Sequence, residues 1–302
     1  MLDKNRLLHT FRLMYSVKIM AETYEANRQI TRYVHSTSRG HEAIQLATAF
    51  QLTPQDWVSP YYRDESMLLA MGWAPNELML QLLTKGADPF TGGRSYYSHP
   101  NTRAADKPKI IHQSSATGMQ AIPTTGIAQG LQYLETIGNK QQVINNNEKP
   151  VVICSLGDAS ITEGEVSEAL QFAVLKQLPI IYLVQDNEWG ISVMATEGRA
   201  MDAYEYAEGF KGLNKIRVDG TDFFESYAVM QRVVGHVRGH RKPWLVHAKV
   251  CLLNHHTSGV RKEFYRSEDD LAAHALNDPL PKLRKTIVQE FTEAELRRIE
   301  EE

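Results

Sequence analysis

Two apolar runs frame the chain, Val151-Val152-Ile153-Cys154-Ser155-Leu156 and Pro179-Ile180-Ile181-Tyr182-Leu183-Val184. Short runs of this kind, rich in branched residues and closed by turn residues, read as strands. Residues 162–177 between them carry a helical pattern, so the three pieces predict one strand–helix–strand unit. Downstream, Lys215-Ile216-Arg217-Val218 is a short strand closed by Asp219-Gly220. Phe223–Arg238 is a helix with Phe224, Tyr227, Val234 and Val237 on one side, and Trp244–Leu252 is a further strand.

Upstream, residues 1–35 place Leu7, Phe11, Met14 and Tyr15 at helical spacing, a helix that packs on the domain or reaches over a partner subunit. Ser38-Arg39-Gly40 breaks it. His41–Leu52 reads as a helix, Trp57-Val58-Ser59 as a short extended piece, and Glu65–Met71 as a helix. Another helix starts at Pro75, a favoured first-turn residue, and stops before Gly86. Residues 87–113 show no periodicity and read as a long functional loop. Helix returns over 120–137, and 138–149, with Asn145-Asn146-Asn147, is a surface connection. From Leu271 the tail is helical. Strands alternating with helices predict an α/β fold, a doubly wound, mostly parallel sheet flanked by helices. The division expected is an N-terminal helical arm over 1–37, an α/β domain over 38–268 and a helical tail over 269–302.

Ligands in such sheets bind beyond the carboxyl ends of the strands. Gly157-Asp158-Ala159-Ser160 follows the first run and Asp186-Asn187-Glu188-Trp189 follows the second. Each alone is an ordinary turn. Asp158 and Asn187 are 29 residues apart, however, and that interval holds one helix and one strand. A carboxylate and a carboxamide thus reach one sheet edge. Mg²⁺ prefers oxygen ligands, few of them from protein, with phosphates completing its shell. Thr162-Glu163-Gly164-Glu165 has capping-box spacing, and the helix start it predicts would face an anion.

The 302 residues are 42% hydrophobic, enough for a sizeable core, and the net charge of -3 argues against a nucleic-acid binder. Cys154 and Cys251 lie in apolar runs and read as buried reduced thiols. No apolar stretch has the length of a membrane helix, and the N-terminus lacks a cleavage-site pattern; a reducing, cytoplasmic compartment is expected. No Gly-x-Gly-x-x-Gly follows a strand, against a dinucleotide enzyme.

Gly157-Asp158 with Asn187 resembles the thiamine-diphosphate motif. The helix Glu165-Val166-Ser167-Glu168-Ala169-Leu170-Gln171-Phe172-Ala173 resembles the alpha subunit of the decarboxylating component of 2-oxo acid dehydrogenase complexes. More stretches agree in order: Gly40-His41-Glu42-Ala43 (Gly-Gln-Glu-Ala in the family), Tyr62-Arg63-Asp64, Ile216-Arg217-Val218-Asp219-Gly220, and His255-His256-Thr257-Ser258 with Tyr265-Arg266. They span roughly residues 38–266. Tyr-Arg-Asp and His-His-Thr-Ser are closer to the branched-chain enzymes than to the pyruvate enzymes. The resemblance implies a thiamine-diphosphate-binding fold and oxidative decarboxylation of a 2-oxo acid such as 2-oxoisovalerate, with acyl transfer to a lipoyl group. Pyruvate or acetoin are the alternative substrates, and a non-catalytic scaffold is the alternative of another class.

The resemblance also implies roles. Asp158, the Asn187 side chain and the main-chain oxygen of Trp189 would bind Mg²⁺. Tyr62 and Arg63 would hold the diphosphate, with Gly157, Ala159 and Ser160 close to the cofactor. His255 would sit over the cofactor as a catalytic group, with His256 pointing elsewhere, and His99 would face the same site. Gly118 would present backbone to the pyrimidine ring. Departures are Ala159 for a glycine, Gln185 for a cation and Asp186 for an asparagine, which make the diphosphate pocket less positive. Leu252-Leu253-Asn254 is less basic than in related enzymes, and Ser114–Ala121 does not reproduce a monovalent-ion site. The glutamate that activates the aminopyrimidine is expected from a beta subunit or a fused beta-like domain, in an α2β2-type assembly served by a lipoyl-bearing acyltransferase. The helical pattern at the tail fits either a natural end or an alpha-like portion of a longer polypeptide.

Overall fold

The computed structural model describes residues 3–32, 35–111, 114–137 and 149–302. Of the surface connection expected over 138–149, residues 138–148 lie outside the described residues. Eight strands are present among them: β1 (Trp57–Ser59), β2 (Lys109–Ile110), β3 (Val152–Gly157), β4 (Ile180–Asp186), β5 (Trp189–Gly190), β6 (Val193–Met194), β7 (Asn214–Asp219) and β8 (Trp244–Lys249). Six form one sheet in the order β2-β1-β3-β4-β8-β7, every pairing parallel. β5 and β6 make a small antiparallel ribbon beside it.

Every residue of β3 and β4 is buried, as central strands covered on both faces must be. Their side chains alternate between two cores. Ile153, Ile181 and Leu183 join Val58, Met67, Leu68, Met230 and Val234 on one face. Val152, Cys154, Tyr182 and Val184 join Ala128, Val166 and Leu170 from the helices Ala121–Ile137 and Gly164–Lys176 on the other. A third cluster fastens the N-terminal helix, Lys4–Ala26, to the tail. Leu7, Phe11 and Met14 pack on Leu280, Leu283, Ile287 and Leu296, and on Ala43 and Leu46 of the helix Glu42–Ala49. Both cysteines are free and buried. Among the described residues no helix is long and apolar enough to cross a membrane.

Several local expectations need correction. The helix after β3 starts at Gly164 with Glu163 as its N-cap and no side-chain cap bond. Asp158–Ser160 form a 3-10 turn, and Ser160 accepts from the amide of Glu163, so the chain enters the helix from backbone turns. β8 stops at Lys249, because Cys251 leaves the sheet and donates its amide to Gly40. The loop 87–113 contains β2, too short for any periodicity to show. The tail is three helices, Glu268–Ala275, Pro279–Ile287 and Glu293–Glu301, each started by its own side-chain cap at Ser267, Asp278 or Thr292.

Glu65 carries a stability prediction. It is fully buried, accepts from Tyr97 Oη at 2.5 Å and from the Ser38 amide at 2.9 Å, and burial pushes its carboxyl up to about 7. Between the ordinary carboxylate range and that value the folded chain keeps a proton the unfolded chain has lost. Stability therefore falls as pH rises through this window, by at most about 3 kcal/mol. Glu65→Gln is expected to flatten that slope in urea titrations at about pH 5 and about pH 8. Equal slopes in both proteins would rule the effect out.

Candidate functional site

Parallel register sets the site. Gly157 pairs with Gln185, and Asp186 with Lys249, so the carboxyl ends of β3, β4 and β8 lie level. Asp158 stands one residue past β3, 3% exposed. Its Oδ2 is 2.6 Å from Arg199 Nη2, which also lies 3.1 Å from Asp186 Oδ1. Asp186 Oδ2 accepts from His247 Nε2 at 2.8 Å and Lys249 Nζ at 3.1 Å. Burial and the facing Asp186 charge push the Asp158 carboxyl up to about 7, against the pull of Arg199. Burial acts on Asp186 in the same direction, but His247, Lys249 and Arg199 hold it well below the usual carboxylate range.

Around this pair the backbone is tightly fitted. A Cβ on Gly157 would lie 2.7 Å from the Tyr61 hydroxyl, so only glycine lets that phenol reach the strand end. Ser160 Oγ donates to the Gly157 carbonyl at 2.6 Å, while Ala159 is exposed. Asn187 Oδ1 accepts from the Trp189 amide at 3.0 Å, and its Nδ2 donates to His41 Nε2 at 3.2 Å.

Arg63 forms the second half. It is fully buried. Its Nη2 donates to the His256 carbonyl at 3.0 Å and its Nη1 approaches the Thr37 carbonyl at 3.5 Å. Nε has no partner, and among the described residues no carboxylate stands within ion-pair distance of it. Tyr62 Oη lies 3.1 Å from His256 Nε2. His256 Nδ1 accepts from the Ile191 amide at 3.3 Å, which leaves the proton on Nε2, directed at Tyr62. Burial and the Arg63 charge push His256 down to about 2 and His41 down to about 3, so both are neutral.

The structure therefore brings Tyr62 and Arg63 together with His256, and sets Asp158 at the end of β3 beside the end of β4, from which Asn187 and Trp189 follow. His99 is buried, donates from Nδ1 to the Tyr97 carbonyl at 2.9 Å, and lines a crevice with Tyr61, Tyr62 and Gln120. Gly118 has φ +85°, and a Cβ there would meet Glu163 Cβ at 2.9 Å; that contact accounts for the glycine. His255 and His256 exchange the places expected of them. His255 Nδ1 accepts from the Lys262 amide at 3.1 Å, and its Nε2 lies 3.9 Å from Glu25 Oε2, on the wall of a separate cleft of about 690 Å³. The pair lies in an irregular segment with bends at Asn254 and His256, and its path turns His256 inward and His255 away.

The strand end where Gln185 and Asp186 depart from the family also receives a guanidinium from elsewhere in the chain. Gln185 is buried beneath it, donating to Asp64 Oδ1 at 2.6 Å and Ser155 Oγ at 2.8 Å. The guanidinium at the carboxylate pair comes from Arg199. Sequence reasoning missed Arg199, Tyr61 and the part of His41. For Arg199 the available signal was charge balance, two acidic residues at one strand edge with no cation beside them.

The family described as dehydrogenase E1 component matches residues 12–302. The chain belongs to that family. It is 28% identical over 280 residues to the 3-methyl-2-oxobutanoate dehydrogenase subunit alpha of Mycobacterium tuberculosis, covering 91% of this chain and 70% of that protein. It is 29% identical over 244 residues to the 2-oxoisovalerate dehydrogenase subunit alpha of Bacillus subtilis, covering 80% of this chain and 69% of that one. The pyruvate dehydrogenase E1 component subunit alpha of Rickettsia bellii is 25% identical over 268 residues, 87% of this chain and 76% of its own length. Membership places the chain among the thiamine-diphosphate-dependent E1 oxidoreductases of 2-oxo acid dehydrogenase complexes, as an alpha-type subunit.

Proposed function

We propose that this chain holds the diphosphate and Mg²⁺ of thiamine diphosphate, as its half of a site that oxidatively decarboxylates a branched-chain 2-oxo acid such as 2-oxoisovalerate. The observation that carries this reading is Arg63. A guanidinium buried without a counter-charge costs several kcal/mol, and a phosphate is the ligand its fork matches. The metal end fits as well, since the buried Asp158 and Asp186 already share a cationic group.

Asp158, Asn187 Oδ1 and the Trp189 carbonyl would hold Mg²⁺. Gly157 lets the strand end approach closely, and Ala159 offers an open methyl face. Ser160 acts from behind, bracing the Gly157 carbonyl. Bound thiamine diphosphate supplies a carbanion for the keto carbon and an electron sink as CO₂ leaves. His256, neutral with its proton on Nε2, donates a hydrogen bond to Tyr62 Oη and so fixes the direction in which that hydroxyl's own proton points. His99 shares a crevice wall with Tyr62 and supports the same region. A beta subunit would supply the activating glutamate in an α2β2-type assembly, and the acyl group would pass to a lipoyl arm of an acyltransferase component.

With that buried donor lost, His256→Ala is expected to lower kcat/KM by roughly 10²–10³-fold, while His255→Ala stays within about threefold of wild type. Turnover of 2-oxoisovalerate by the complex reconstituted with its beta partner reads both, and the opposite ranking would return the role to His255. Calorimetry of that complex tests the reading as a whole. Thiamine diphosphate should bind saturably with Mg²⁺ present, and a silent titration would sink the proposal. Because a pyruvate enzyme stands among the relatives, turnover on pyruvate beside 2-oxoisovalerate decides the substrate.

A further inference from the structure

Arg199 belongs to none of the motifs along the chain, yet its side chain is 8% exposed and lies between the two acidic residues of the site. It follows the short helix Ala195–Gly198, whose first amide donates to the Glu188 carbonyl at 2.8 Å. The helix therefore hangs from the segment that carries Asn187 and Trp189. The two carboxylates are not equivalent. Asp186 has His247, Lys249 and Arg199. Among the described residues Asp158 has Arg199 as its one ion-pair partner. If a divalent ion took Asp158, that carboxylate would exchange one counter-charge for another, and Arg199 would keep its hydrogen bond to Asp186.

The geometry points to Arg199 as a built-in counter-ion of the metal site, neutralising Asp158 until Mg²⁺ arrives and then withdrawing to Asp186. This rests on the reading that Asp158 takes Mg²⁺. Two consequences follow. The metal must compete with a guanidinium, so Arg199 limits Mg²⁺ affinity. The metal-free chain owes part of its stability to Arg199, because without it two buried carboxylates face each other with one side uncompensated.

Calorimetric titration of Mg²⁺ into the assembled complex, with and without thiamine diphosphate, tests this beside melting curves in Mg²⁺ and in chelator. Arg199→Gln is expected to bind Mg²⁺ about tenfold more tightly than wild type, to melt lower in chelator and to gain more from the metal. Arg199→Lys keeps the charge on a shorter stem, which reaches the two carboxylates less well, so it should fall between the two and covers the case of a glutamine variant that does not fold. Unchanged or weaker Mg²⁺ binding in the variant, beside a wild type that binds, overturns the counter-ion role and leaves the metal site standing. A wild type that binds no Mg²⁺ overturns both.

Discussion

Arg63→Met should raise the melting temperature of the ligand-free chain and weaken thiamine diphosphate binding by roughly 10²–10³-fold. The two signs have one cause. In the free chain Arg63 is a fully buried positive charge with its Nε unpaired and two main-chain carbonyls as its only hydrogen-bond partners among the described residues. Methionine is of similar length and uncharged. Removing the charge relieves a desolvation cost of several kcal/mol, against about 1–3 kcal/mol for leaving the Thr37 carbonyl short of a donor, since the His256 carbonyl still accepts from Ser36 Oγ. With ligand the balance reverses, because a diphosphate then stands beside an apolar side chain. Melting curves with and without thiamine diphosphate and Mg²⁺ read both effects. A variant that melts lower when free and binds as before would show that Arg63 is a structural charge and holds no anion.

Asp158→Asn should remove turnover by roughly 10³-fold or more in the reconstituted complex, with Mg²⁺ no longer promoting cofactor binding. The substitution is nearly isosteric and leaves Arg199 its anchor on Asp186, so the fold should survive. What disappears is the one carboxylate among the expected metal ligands. A carboxamide is a weaker ligand for a hard cation, and it also stops compensating the charge of Arg199. Wild-type turnover in this variant, across a Mg²⁺ titration, would place the metal elsewhere.

The parts of this site that were legible in the chain are those governed by local pattern. β3 and β4 announce themselves because a central strand of a parallel sheet must be apolar along its whole length. Given two such strands with one helix between them, the positions of Asp158 and Asn187 follow from chain geometry alone. The choice between His255 and His256 does not. It depends on which way an irregular segment faces, and no repeating pattern fixes that. Arg199 was invisible for a different reason. Its segment has no periodicity, and its two partners become its neighbours only when β3 and β4 lie side by side. Gln185 reads in the chain only as a missing cation, and its further place on β4 in a buried layer shared with Asp64 and Ser155 shows only in three dimensions.

That buried layer joins two departures that stand far apart in the chain. Where the family carries glutamine this chain has His41, and where a cation is common it has Gln185. The two side chains touch: His41 Nδ1 donates to Gln185 Oε1 at 3.0 Å, and Gln45 Nε2 donates to the same oxygen at 2.8 Å. Arginine at 185 would bring five donors and no acceptor, stranding both of those N–H groups against other donors. Position 185 can therefore not revert by itself without leaving buried polar groups unpaired. The dependence runs one way: a cation at 185 requires new acceptors for the N–H groups of both His41 and Gln45 in the same stroke.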